Sequence, residues 1–225
     1  MAKKKNNPIS AASVFIATFA PFENGKRLPT NGMVEPMLSF FLPRAKKTTL
    51  LTQPHSGSDF VDPLIDEYIG EKQVSSKRLS KFLYYPIYLL CKLQNDQKTH
   101  ISLKLRDLLS VIFVGLKSQE KYAFFIGLES INTLGGIFLK KMGKVKTVIY
   151  YVSDYSPTRF GKTFFNNIYI WLDQYCAMHA DFIWDVSPAM QKARIQAGLN
   201  AKKSAPVILM PNGLFPSQIK SLPIE

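Results

Sequence analysis

The sequence predicts an α/β protein built on a mostly parallel sheet with helices on both faces. Three observations lead there. Short β-rich runs alternate with longer helix-like segments along most of the 225 residues. The runs are continuously apolar rather than alternating, the pattern of strands covered on both sides. Helix caps and stops fall where the two kinds of segment meet, which argues layered α/β architecture.

The β-rich runs are 14–20, 48–52, 122–128, 147–152, 182–186 and 207–210. Between them lie helix-like segments at 33–42, 76–93, 103–117, 130–142, 163–180 and 189–197. In the first of these, Pro36 cannot sit deep inside a helix, so the helix begins hardly before Met33. The stretch 54–119 departs from the alternation, with two helix-like segments and no secure strand. In 163–180, Phe164, Phe165, Ile168, Trp171, Leu172, Tyr175 and Cys176 form a one-sided stripe at helical spacing. Ser187-Pro188 reads as a helix start, a hydroxyl cap followed by proline at the first helical position. Gly143 and Gly198 stand where the preceding helices should stop.

Composition narrows the classes of function. An apolar fraction of 46% describes a globular chain with a core of its own. Twenty-nine basic against sixteen acidic side chains leave a net charge of +13, which implies an anionic partner or surface. Two cysteines, Cys91 and Cys176, exclude a disulfide scaffold and a four-cysteine zinc site, and with three histidines a metal site would have to lean on carboxylates. No metal or cofactor is expected. The apolar runs 82–91 and 108–116 are each about half of the roughly 20 residues that a bilayer-crossing helix needs. No convincing targeting segment is seen, so the expected location is cytoplasmic.

In a parallel sheet, ligands gather outside the carboxyl ends of the strands, and four polar segments fall there. After the first strand, residues 21–32 bring Asn31 and Gly32 to the start of a helix, where unpaired N–H groups favour an anion or a sugar hydroxyl. Gly25 and Gly32 would admit a ligand to the backbone; a turn and a cap account for the same residues. No GxGxxG follows this strand, which counts against a dinucleotide dehydrogenase. After the second strand, His55 leads a run of small polar residues, either touching a substrate or simply solvated. No serine-hydrolase elbow and no HExxH is present. After the fourth, Asp154, Tyr155 and Arg159 combine a carboxylate with a phenol and a guanidinium. That set suits general-base or hydroxyl-orienting work, although an Asp154–Arg159 pair that ties down the loop would use the same residues. The remaining two strings, Ala180-Asp181-Phe182-Ile183-Trp184-Asp185-Val186-Ser187 and Pro211-Asn212-Gly213, read alone as strand plus cap and strand plus turn.

Taken together, these strings resemble the N-terminal half of GT-B glycosyltransferases of the family 4-like group. The 180–187 string is similar to that family's strand and serine cap, and Pro211-Asn212-Gly213 to the junction where its first domain passes to the second. The resemblance spans about residues 14–214. It implies a basic tail at 1–12, a Rossmann-like acceptor-side domain at 13–214, and an interdomain stub at 215–225. In that group the first domain chiefly binds the acceptor and a second holds the nucleotide-sugar. The resemblance therefore implies a hexosyltransferase of polysaccharide biosynthesis, acting on a glycan or lipid-linked acceptor and completed by a missing second domain or a partner chain. Asp154 would be catalytic, with Asn31, Gly32, His55, Tyr155 and Arg159 binding the acceptor.

Between Lys72 and Arg106 eight basic residues face Asp96 alone, interleaved with aromatics. Lys77, Arg78, Lys81, Phe82 and Tyr85 are expected to form a membrane-facing surface on the inner leaflet, or alternatively a solvated helix face. The competing reading of the whole chain is a non-catalytic module that binds a membrane surface or a partner. A nucleic-acid role is not expected, since no RRM, KH or helix-turn-helix signature is present.

Overall fold

The computed structural model describes residues 9–28, 33–80 and 101–211, together with Tyr85, Ile87 and Leu89. Its centre is an eight-stranded sheet in the order β10-β9-β8-β7-β1-β4-β5-β6. The parallel strands are β1 (Ser13–Ala20), β4 (Lys47–Pro54), β7 (Tyr122–Leu128), β8 (Val145–Val152), β9 (Phe182–Asp185) and β10 (Val207–Leu209). Each matches a β-rich run of the sequence to within two residues at either end. The helices whose bounds lie within the described residues are α1 (Val34–Phe41), α2 (Ile101–Lys117), α3 (Glu129–Lys141), α4 (Phe164–His179) and α5 (Pro188–Gln196). The fold is a Rossmann-like α/β domain.

Both faces of the sheet are covered, and this explains why its strands read as unbroken apolar runs. Phe15 and Ala17 of β1 join Phe125, Val148, Tyr150 and Ile183 in a core beneath α2–α5. Val14 and Ile16 of the same strand point the other way, with Leu50, Ile126 and Ile149, against Val34, Met37 and Phe41 of α1. Each of the larger side chains among them, once buried, contributes about 1.5–3 kcal/mol relative to exposure.

The predicted helix ends are realised. The Thr163 hydroxyl accepts the Asn166 N–H (3.2 Å) and the Ser187 hydroxyl the Ala189 N–H (3.3 Å), while Gly143 and Gly198 take positive φ of 71° and 103°.

Two expectations are corrected. The stretch 54–119 does hold strands: β5 (Leu64–Ile69) runs antiparallel to β4, and β6 (Lys72–Arg78) antiparallel to β5, turning at Gly70 with φ 55°. The helix expected from residue 76 therefore begins as a strand. Arg106, counted with the basic surface, is buried. It chelates Asp107 (3.0 and 2.6 Å) and donates to the carbonyls of Val61 (2.9 Å) and Pro54 (2.8 Å). Arg106 thus fastens the loop after β4 to α2.

Candidate functional site: the carboxyl edge of the sheet

From β1 the chain crosses to β4 on one side and, after the hairpin, returns to β7 on the other. The direction reverses between β1 and β7, and open α/β sheets bind their ligands outside the carboxyl ends of the strands at such a switch point. The loops after β1, β4, β7 and β8 share that edge because their strands are parallel.

The loop after β1 folds as a small hairpin, β2 (Phe22–Glu23) against β3 (Lys26–Arg27). Its turn is Asn24-Gly25, with φ of 51° and 72°, the positive pair that a two-residue hairpin turn requires. Gly25 thus serves the turn, and its N–H donates to Asp59 Oδ2 (2.9 Å). The Phe22 N–H donates to Ser58 Oγ (3.1 Å), so the hairpin is stapled to the loop after β4. Asn31 and Gly32 lie outside the described residues.

His55 is exposed at the start of that second loop, its Nδ1 3.3 Å from the Ser56 carbonyl and its ring 6.0 Å from Phe19. Asp154 follows β8 and is 70% exposed at its side chain, paired with Arg159 (3.4 Å). The strands carrying His55 and Asp154 stand three places apart, so the two residues share a rim about 14 Å wide. Arg159 also donates to the Asp154 carbonyl (3.2 Å) and lies over the Tyr169 ring. Burial works against its charge, but a hydrogen bond with Tyr169 and the fields of Glu129 and Asp154 outweigh that and hold it more firmly protonated.

Tyr155 turns inward instead of lining the rim. It is 8% exposed, stacks on Tyr169, and lies under the Arg194 guanidinium. Desolvation, with the nearby Asp173, pushes its phenol up to about 12. Its place supports the loop from below, and an acceptor above the rim does not meet it.

The residue that sequence reasoning missed is Glu129. It follows β7 directly and opens α3 at φ 65°, a conformation that L side chains rarely adopt. The neighbouring bonds hold it there. The Thr133 hydroxyl reaches the carbonyls of Gly127 (3.0 Å) and Glu129 (2.9 Å), and Asn132 donates to that of Leu128 (2.9 Å). Gly127 makes the turn possible: a Cβ there would come within 2.7 Å of the Thr133 backbone. The Glu129 carboxylate accepts the Ser153 hydroxyl (2.8 Å) and N–H (3.3 Å) on one oxygen, Oε1. Desolvation raises its pKa, only partly offset by Ser153, Arg159 and Lys104. A strained, desolvated carboxylate at the carboxyl edge of a parallel sheet is the kind of group that proton-transfer sites use. Its only sequence signal was a glutamate following an apolar run, which also reads as an ordinary first-turn residue.

The motif strings do scaffold work. Asp181 accepts the Val148 N–H (2.8 Å) and pairs with Lys140, pinning β9 to β8. Asp185 joins Asp173 around Arg194, and Ser187 caps α5. Asn212 and Gly213 lie outside the described residues.

The predicted membrane surface is divided. Lys77 and Arg78 lie on the exposed edge strand β6, Lys77 4.0 Å from Glu67 and Arg78 stacked 3.8 Å over Phe60. Tyr85 is helical and exposed, while Lys81 and Phe82 lie outside the described residues.

Among the described residues no helix is long and apolar enough to cross a membrane. None of their His, Cys, Asp and Glu side chains form a group of three able to hold a metal. No family model matches the chain, and no curated protein matches it in sequence.

Proposed function

We propose that this chain is the acceptor-binding half of a glycosyltransferase of GT-B, family 4-like type. It would transfer a sugar from a nucleotide-sugar to a glycan or lipid-linked acceptor once a second domain or partner chain supplies the donor. The observation that carries this reading is the shared rim, where Glu129, Ser153, Asp154 and Arg159 gather beside the switch point and His55 stands across from them. An acceptor hydroxyl seated there donates to a carboxylate, which orients it or takes its proton as the oxygen bonds to the anomeric carbon. The bond from that carbon to the donor phosphate breaks, and the nucleoside diphosphate leaves with the electron pair. Glu129 is better suited than Asp154 to accept the proton, because burial raises its affinity for one; Asp154 and Arg159 then hold neighbouring hydroxyls.

Amide shift mapping tests the reading, with a panel of soluble oligosaccharides and, separately, nucleotide-sugars. The expected result is shifts at His55, Glu129, Ser153 and Arg159 with a glycan and none there with the nucleotide-sugar alone. Nucleotide-sugar binding at the rim, or no glycan response, would overturn it. The alternative, a non-catalytic module on a membrane or partner surface, draws on the +13 charge. It expects partner binding that survives Glu129→Gln and Asp154→Asn unchanged.

A further inference from the structure

The outward row of α4 is exposed along most of its length. Phe164, Ile168, Trp171 and Tyr175 follow one another at i, i+4, i+7 and i+11, one face of a helix. They form a strip about 17 Å long. Phe164 is 73% exposed, Trp171 59% and Ile168 38%; Phe165, its ring 6.3 Å from that of Phe164, widens the strip at 45%, and Phe160 in the loop before the helix is 48% exposed with its ring against Tyr169. Isolated exposed apolar side chains are ordinary; a contiguous aromatic strip of this size marks an interaction surface. The buried side of α4 accounts for the helix's place in the fold, through Asn166, Asp173, Cys176 and Ala177. Of the outer row, Tyr175 packs against the core edge, and Phe164, Ile168 and Trp171 stay outside it.

Charge indicates what covers it. Lys162 stands just before the helix, at the positive end of its dipole. At the far end Lys141 donates to Tyr175 Oη (3.2 Å). The sole carboxylate on α4, Asp173, is fully buried; of those in the segments flanking the helix, Asp154 is engaged by Arg159 and the partly buried Asp181 by Lys140. The strip is therefore apolar and aromatic with lysine at both ends and no uncompensated negative charge. That composition fits an anionic lipid surface, where aromatic rings enter the headgroup boundary and lysines meet phosphate.

We infer that α4 and the loop before it dock this protein on an anionic membrane through Phe160, Phe164, Ile168 and Trp171, flanked by Lys162 and Lys141. This surface differs from the 77–85 region that the sequence suggested. It goes beyond the sugar-transfer reading and needs no transfer to be tested. Because α4 starts at the carboxyl edge of the sheet, docking would bring the Asp154 rim toward the lipid.

The test is sedimentation of the full chain with phosphatidylcholine vesicles, with and without phosphatidylglycerol. Trp184→Phe leaves Trp171 as the only tryptophan reporter. Binding that needs phosphatidylglycerol, with a blue shift of Trp171 emission, is expected. Phe164→Ser/Ile168→Ser, whose side chains lie outside the core, should weaken it roughly tenfold or more, and Lys162→Glu should weaken it with marked salt dependence. Lys77→Glu/Arg78→Glu should leave it unchanged, with circular dichroism confirming that each variant is folded. Absence of vesicle binding would overturn the inference. So would loss of binding in the Lys77/Arg78 variant alone, or a dimer in solution that the Phe164/Ile168 variant dissociates, since the strip would then be a self-interface.

Discussion

Glu129 shows what one residue gives up for its position. Its backbone sits at φ 65°, and its carboxyl is desolvated at the carboxyl edge of the sheet. Both features oppose stability, and they can be separated. A carboxyl whose folded pKa lies above its unfolded value binds its proton more tightly in the folded state. Its contribution is most favourable at low pH and declines as pH rises from the unfolded value toward the raised one. Glu129→Gln keeps an oxygen for Ser153 and does not titrate, so it should melt above the wild type by a margin that grows from acid to neutral pH. Glu129→Gly additionally relieves the left-handed backbone, adding about 1 kcal/mol that does not vary with pH. Thermal unfolding of the three proteins across that range is the check, and a pH-independent Gln margin would remove the desolvation argument.

At the scale of elements, the parallel strands were legible because they are covered on both faces, which leaves an apolar run in the sequence. β5 and β6 were not. Every residue of β6 except the partly buried Ser75 is exposed, and Lys72, Lys77 and Arg78 protect its edge in the way charged edge strands do, so no hydrophobic period marks it. The candidate site was legible only in part. Strand ends gave His55, Asp154 and Arg159, but the inward turn of Tyr155 depends on packing against Tyr169 and Arg194, and the place of Glu129 depends on strand order. Neither is local. The same holds for the buried cluster that ties α4, β9 and α5 together. Arg194 donates to Asp173 (3.2 and 2.9 Å) and Asp185 (3.0 and 2.7 Å), while Tyr150 Oη donates to Asp173 (2.7 Å). Desolvation raises both carboxyls, with Arg194 opposing it. Arg194→Met would leave two buried carboxylates uncompensated and should cost about 3–5 kcal/mol at neutral pH. The loss should shrink in acid, where the carboxyls take up protons; urea unfolding at both pH values measures it, and an equal loss at both would show that lost packing, not charge, is responsible.

For the whole molecule, the two halves of the core meet across one sheet, so stability should be graded outward from its middle. β1 has a strand on each side and buried side chains on both faces, and β7 and β8 share that environment. Their amides can exchange only when those cores open together. The outer strands differ. β6 has water on both faces, and β10 is three residues long with all three side chains exposed. Neither buries enough to resist local opening, so each should fray independently of the centre. Native-state hydrogen exchange should accordingly give protection at Phe15, Ile16, Phe125 and Val148 equal to the global unfolding free energy, sharing its denaturant slope. Val74 and Ile208 should exchange through openings with almost no slope. Equal protection at Ile208 and Phe15 would mean that β10 belongs to the central cooperative unit. A further layer would then have to cover that side of the sheet, since the side chains of β10 itself supply no core to hold it there.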